Sequence, residues 1–161
     1  DEKGTLADSS VICAYLERRH PTPALYPSDP YDYARALWFE EYADSPLVAI
    51  TGPKIFFQKI VGPRFFNQPT DEAVVSKAVS EELPPFLDYL ESQLTGDWLA
   101  GSQFSIADIS VGTQFGNLRL AGGSVDTARW PKLARYLARV HERPSFKTLI
   151  EEDRAALGQS A

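Results

Sequence analysis

An acid and two hydroxyls, Asp8, Ser9 and Ser10, stand at the start of the first helical stretch of this 161-residue sequence, TLADSSVICAYLERR. A helix N-terminus leaves its first N–H groups unpaired and directed outward, so this turn is suited to hold an anion or a zwitterion. A second pair, Ser105 and Asp108 in QFSIADI, has capping-box spacing with Asp in place of the usual Glu or Gln. The Ser105 hydroxyl would accept from the Asp108 N–H while the Asp108 carboxylate reaches back to the Ser105 N–H, and Phe104 with Ile109 has the spacing of a hydrophobic staple. No histidine lies nearby in sequence, so this pair reads as structural rather than catalytic. Cys13 has apolar neighbours on its helix and reads as buried and unreactive, because thiol reactivity needs exposure and a depressed pKa. His20 and His141 are isolated, and the residues offer no metal-ligand cluster, so no metal is expected.

The composition, 43% hydrophobic and 24% charged, is that of an ordinary globular protein. Sixteen basic against 22 acidic residues give a formal charge of −6, which disfavours nucleic acid and anionic lipid unless a local basic patch overrides it. No such patch is legible: ERR at 17–19 stands alone, and the arginines of 129–143 are interleaved with apolar residues. No apolar run approaches the ~18 residues of a spanning helix, so no membrane contact is expected. A single cysteine allows no internal disulfide and favours a reducing compartment, which points to the cytoplasm. The sequence contains no Met, and it is expected to be trimmed or part of a longer product.

Apolar residues recur at helical spacing almost throughout, which predicts an all-α body. The first helix starts near Asp8 and is expected to bury Val11, Ile12, Tyr15 and Leu16. HPTPALYPSDP then places four prolines in eleven residues, a candidate domain boundary. Divided there, the chain comprises residues 1–20, a linker over 21–30, and a helical domain over 31–161. A long helix from about Tyr31 should kink at Pro46, break at 51–53 and break again at Gly62–Pro63. The next begins with Thr70 as N-cap, and Pro84–Pro85 requires a sharp bend or a restart before the stripe Phe86, Leu87, Leu90 and Leu94. Further helices are expected over 105–120, 131–142 and 145–157, with Gly122–Gly123 ending the first of these and Pro144 opening the last.

DWLAGSQFSIADISVG together with RWPKLARYLARVHERPSFK resembles the C-terminal helical domain of the cytosolic glutathione transferases: an aromatic-Leu-x-Gly loop, a Ser-x-x-Asp capping box, and a closing helix at Arg-Pro-x-Phe. LADSSVICAYLERRHP is similar to the segment that closes the family's thioredoxin-like N-terminal domain. The resemblance implies a transferase helical bundle carrying a remnant of that α/β domain, its last strand and helix, with the rest of the domain outside the given sequence.

The same resemblance implies that Asp8 accepts from the γ-glutamyl ammonium of glutathione, while Ser9 and the helix N–H groups hold its α-carboxylate. The thiol-activating residue belongs to the family's N-terminal segment and is not identified in this sequence. A cleft for a small, apolar electrophile is expected near Tyr42, Ser45, Val48 and Phe56, although such aromatics serve equally as core or dimer contacts. The resemblance further implies a homodimer in detoxification, with glutathione as co-substrate. Non-catalytic relatives, such as the transferase-like domains of translation elongation complexes, are the main alternative. Specialised dehalogenases, isomerases or thiol reductases are another.

Overall fold

The prolines and glycines expected to break the long helix after residue 31 do not break it. In the computed structural model, which describes residues 2–158, α1 (Ser9–Arg19) is followed by a helical run built from α2 (Pro30–Tyr42), α3 (Val48–Ile50) and α4 (Gly62–Phe65). Wide π-type segments at Ala43–Leu47 and Thr51–Val61 join them and contain Pro46 and Pro53. An interior proline lacks an N–H and clashes with the carbonyl four residues back. A turn that bonds five residues back, as Val48 N–H does to Ala43 C=O, gives the ring room without ending the helix. The stretches 51–53 and Gly62–Pro63 are therefore continuous helix.

The following helix, α5 (Glu72–Lys77), is capped by Asp71 rather than Thr70: Asp71 Oδ1 accepts from the Ala73 and Val74 N–H groups at 3.0 and 3.1 Å. A carboxylate satisfies these donors and also complements the helix dipole. Thr70 instead donates its hydroxyl to the Gln58 carbonyl at 2.9 Å, tying the loop to the preceding helical run. At Pro84 the expected restart occurs: α6 (Pro84–Gln93) begins on the proline after a π-type segment at Ala78–Glu82.

The last three helices, α7 (Ile106–Leu120), α8 (Pro131–His141) and α9 (Pro144–Ala156), lie where caps and prolines predict. Gly122 adopts φ +81°, and Gly123 N–H donates to the Leu118 carbonyl at 2.9 Å, closing α7. The core centres on α7, which packs most extensively against α2. Ile106, Val111, Phe115 and Leu118 of α7 share one buried core with Ala36 and Phe39 of α2 and Leu133 and Val140 of α8. A Cβ on Gly112 would lie 2.6 Å from Val140 Cγ1, so the absent side chain permits this approach.

Ahead of α1 the expected strand is not formed, since a strand needs a neighbour to pair with and none of the described residues supplies one. The apolar face expected to be buried stands open, with Val11 and Leu16 about half exposed at 50% and 48% and Ile12 also exposed. Cys13 is half-buried and packs against the core. The linker is ordered by its ends: Leu25 N–H donates to Glu17 Oε2 at 3.1 Å, and the Leu25 carbonyl accepts from Ile106 N–H at 2.8 Å.

Candidate functional site

Asp8 is the N-cap of α1, and its backbone is unusual. Its φ is +76°, a left-handed value that a non-glycine residue adopts at a cost of roughly 1–3 kcal/mol. One carboxylate oxygen, Oδ1, accepts from Ser10 N–H at 3.0 Å and Val11 N–H at 3.2 Å. The capping function thus uses one oxygen, and Oδ2 has no hydrogen bond among the described residues.

Packing of α2 and its continuation against α1 brings two further carboxylates to this helix start. Ser9 Oγ donates to Asp44 Oδ2 at 3.3 Å. Glu40, only 4% exposed, accepts from the Tyr26 hydroxyl at 3.4 Å and is hydrogen-bonded to the Ser10 side chain. Burial pushes the Glu40 carboxyl above its ordinary range, Asp44 and Asp8 push it further, and the Ser10 and Tyr26 hydrogen bonds pull against this. Burial likewise raises Asp44, with Asp8 and Glu41 adding to it and the Ser9 bond opposing. Tyr26 is driven well above the usual phenol value by burial and by Glu40. The arrangement concentrates negative charge beside the positive end of the α1 dipole, so an ammonium would relieve the carboxylates while a carboxylate took the helix terminus at Ser9. A zwitterion satisfies both halves.

The structure does not bring the candidate cleft residues together in the same way. Tyr42, the last residue of α2, is buried against α6, its ring 5.0 Å from Tyr89 and 5.9 Å from Phe86, and core packing accounts for it. Ser45 is exposed and donates to Glu41 Oε1 at 2.7 Å. Val48 and Phe56 are half-buried on the same helical run, separated by about two turns.

The capping box is closed at both arms. Asp108 Oδ2 accepts from Ser105 N–H at 2.9 Å, while Oδ1 accepts from Leu99 N–H at 3.1 Å and the Tyr136 hydroxyl at 3.0 Å. Burial raises the Cys13 thiol, and Glu40 and Asp44 raise it further, which disfavours the nucleophilic thiolate. His141 Nε2 lies 2.9 Å from the Gly112 carbonyl, and burial holds the ring below its ordinary pKa. A group of three or more His, Cys, Asp or Glu side chains able to hold a metal is not found among the described residues. Nor is any helix among them long and apolar enough to cross a membrane.

Sequence reasoning missed Glu40 and Asp44 as neighbours of Asp8, and Tyr26 as the partner of Glu40. One signal was present: Glu40 falls four residues after Ala36 and directly after Phe39, inside the buried stripe of α2.

A family model described as the C-terminal domain of glutathione S-transferase matches residues 56–153. The probable glutathione S-transferase GSTF2 of Oryza sativa subsp. japonica is 33% identical over 107 residues, 65% of this chain and 48% of its own. The chain therefore spans about half the length of that curated relative. Among solved structures, human glutathione-S-transferase T1-1 in its apo form aligns with TM-score 0.81 at 25% identity, over 98% of this chain and 65% of that one. A glutathione S-transferase from Methylobacillus flagellatus KT with GSH bound aligns with TM-score 0.68 at 31% identity, over 89% and 68%.

Proposed function

The chain belongs to the glutathione S-transferase family, and we propose that within its full-length protein it supplies the part of the glutathione site that grips the γ-glutamyl end. The observation that carries this reading is the Asp8 cap. A strained residue caps α1 through one oxygen, keeps the other unbonded among the described residues, and stands beside Ser9, Glu40 and Asp44. A cap alone requires neither the strain nor the neighbouring acids. Glutathione presents an ammonium and a carboxylate on one carbon at that end, the two charges this corner separates. Asp8 would take the ammonium, and Ser9, through its hydroxyl and its N–H at the positive end of the α1 dipole, would take the carboxylate. The relative with GSH bound supports the ligand class.

In this reading the full-length protein is a cytoplasmic glutathione transferase. It holds the thiolate against a small apolar electrophile, so that proximity and thiol activation carry the rate. The electrophile lies along the face of Ser45, Val48 and Phe56, on the helical run that carries Asp44, with Tyr42 supporting it from the core. The exposed aromatic side of α2, where Trp38 Nε1 donates to the Tyr89 hydroxyl at 2.8 Å, is the surface offered to a second copy of the chain.

Retention of the full-length protein on immobilised glutathione tests the site. Wild type is expected to be retained and released by free glutathione, with Asp8→Ala and Ser9→Ala each retained less. Failure of wild type to bind, or retention of both variants as strong as that of wild type, would remove the assignment and favour a non-catalytic binding module.

A further inference from the structure

The outer face of α8 gathers positive charge that the linear sequence disperses. Lys132, Arg135 and Arg139 fall at i, i+3 and i+7, so the apolar residues between them turn inward while the three cations share one side of the helix. They border a hollow of about 300 Å³ whose floor includes Tyr136 and whose far wall is the loop Leu94–Asp97. The interleaving that hides a basic patch in the sequence is what builds one in the fold.

Only one of the three charges is answered. Arg139 donates to the Asp97 carbonyl at 2.7 Å and pairs with its carboxylate at 2.9 Å, with the guanidinium 5.6 Å from the Trp98 ring centroid. The Lys132 and Arg135 side chains make no hydrogen bond or ion pair among the described residues. Glu91 of α6 is engaged by the Lys132 and Leu133 N–H groups at 3.1 and 2.7 Å, capping α8. Two unanswered cations therefore face a concave, polar hollow on a chain whose formal charge is −6.

We propose that this hollow binds a small phosphate-bearing molecule, its dianionic phosphoryl group held between the Lys132 ammonium and the Arg135 guanidinium. Two open charges match a dianion better than a monocarboxylate, and a guanidinium offers paired donors in the geometry of phosphate oxygens. The hollow accommodates a phosphoryl group with a small substituent. A nucleic acid is disfavoured, because the acidic surface beyond the patch repels an extended polyanion. The occupant would bridge α8 to the loop that leads into Leu99, whose N–H reaches Asp108.

The test is calorimetric titration of the full-length protein with inorganic phosphate, methyl phosphate and acetate at constant ionic strength. Saturable binding of both phosphates is expected, with acetate at least tenfold weaker. Lys132→Gln and Arg135→Gln should each weaken phosphate severalfold, and the double variant at least tenfold. Arg119→Gln, on the far end of α7, should bind as wild type does. Both substituted residues are exposed, so the fold should survive, and an unchanged unfolding midpoint verifies it. Absence of saturable phosphate binding, equal binding by the double variant, acetate binding as tight as phosphate, or loss in Arg119→Gln would each overturn the proposal.

Discussion

The starts of α1 and α7 use the same side chains, an aspartate and a serine at a helix N-terminus, and differ in what surrounds them. At α7 the carboxylate of Asp108 is fully buried and receives Ser105 N–H, Leu99 N–H and the Tyr136 hydroxyl on its two oxygens. It joins three segments and offers nothing further to a ligand. At α1 the carboxylate of Asp8 is exposed, capped through one oxygen, held at positive φ, and crowded by Asp44 and Glu40. A satisfied acid is part of the scaffold, whereas an acid kept strained among like charges has a reason to be kept. The contrast separates a saturated cap from one with an oxygen left to offer, which residue type alone cannot do.

The largest expected effect breaks the α7 side. Asp108→Ala leaves buried donors from Leu99, Ser105 and Tyr136 without their acceptor and should cost about 3–5 kcal/mol in denaturant unfolding, enough to unfold many domains. Next, Gly112→Val forces side-chain atoms into Val140 and Phe146 beneath the same helix, and should cost about 1–3 kcal/mol on the same assay. At α1 the outcome should divide differently. Asp8→Asn keeps a capping oxygen and tolerates positive φ, so stability should stay within about 0.5 kcal/mol while glutathione affinity of the full-length protein falls about tenfold, some 1.4 kcal/mol.

The smallest effect sharpens the contrast through pH. Glu40 has a folded pKa above its unfolded one, so the folded state binds its proton more tightly. Its contribution to stability is present below the ordinary glutamate range and is lost as pH rises through the raised value. Glu40→Gln should therefore stabilise the protein slightly at pH 7, with the gain over wild type shrinking as pH falls through the raised value and lost below the ordinary range. A gain that grows on acidification would show that Glu40 is stabilised as a carboxylate. If Glu40 also contributes to holding the ammonium, the same variant should bind glutathione less well at pH 7.

How much of this was legible in the sequence follows from the range of the interactions. Caps and helix-opening prolines act within a turn, so Ser105, Asp108, Pro131 and Pro144 placed α7, α8 and α9 closely. The helical run beyond Tyr42 was misread because the proline rule assumes bonds four residues back, and the wide turns around Pro46 and Pro53 escape it. Asp8 and Ser9 were legible as a helix start, but Glu40 and Asp44 reach them only through packing of the α2 run on α1. The cations of α8 were visible one by one, and their common face emerged with the helix.

The central claim is that Asp8 recognises an ammonium rather than merely capping α1. It is tested most directly by calorimetric titration of full-length wild type and Asp8→Asn with glutathione and with its analogue lacking the γ-glutamyl amine. Wild type should lose about tenfold in affinity on removal of the amine, and Asp8→Asn should bind both ligands with nearly equal, weakened affinity, a coupling of some 1.4 kcal/mol. Equal losses on removal of the amine in both proteins would contradict it, leaving Asp8 a helix cap and nothing more.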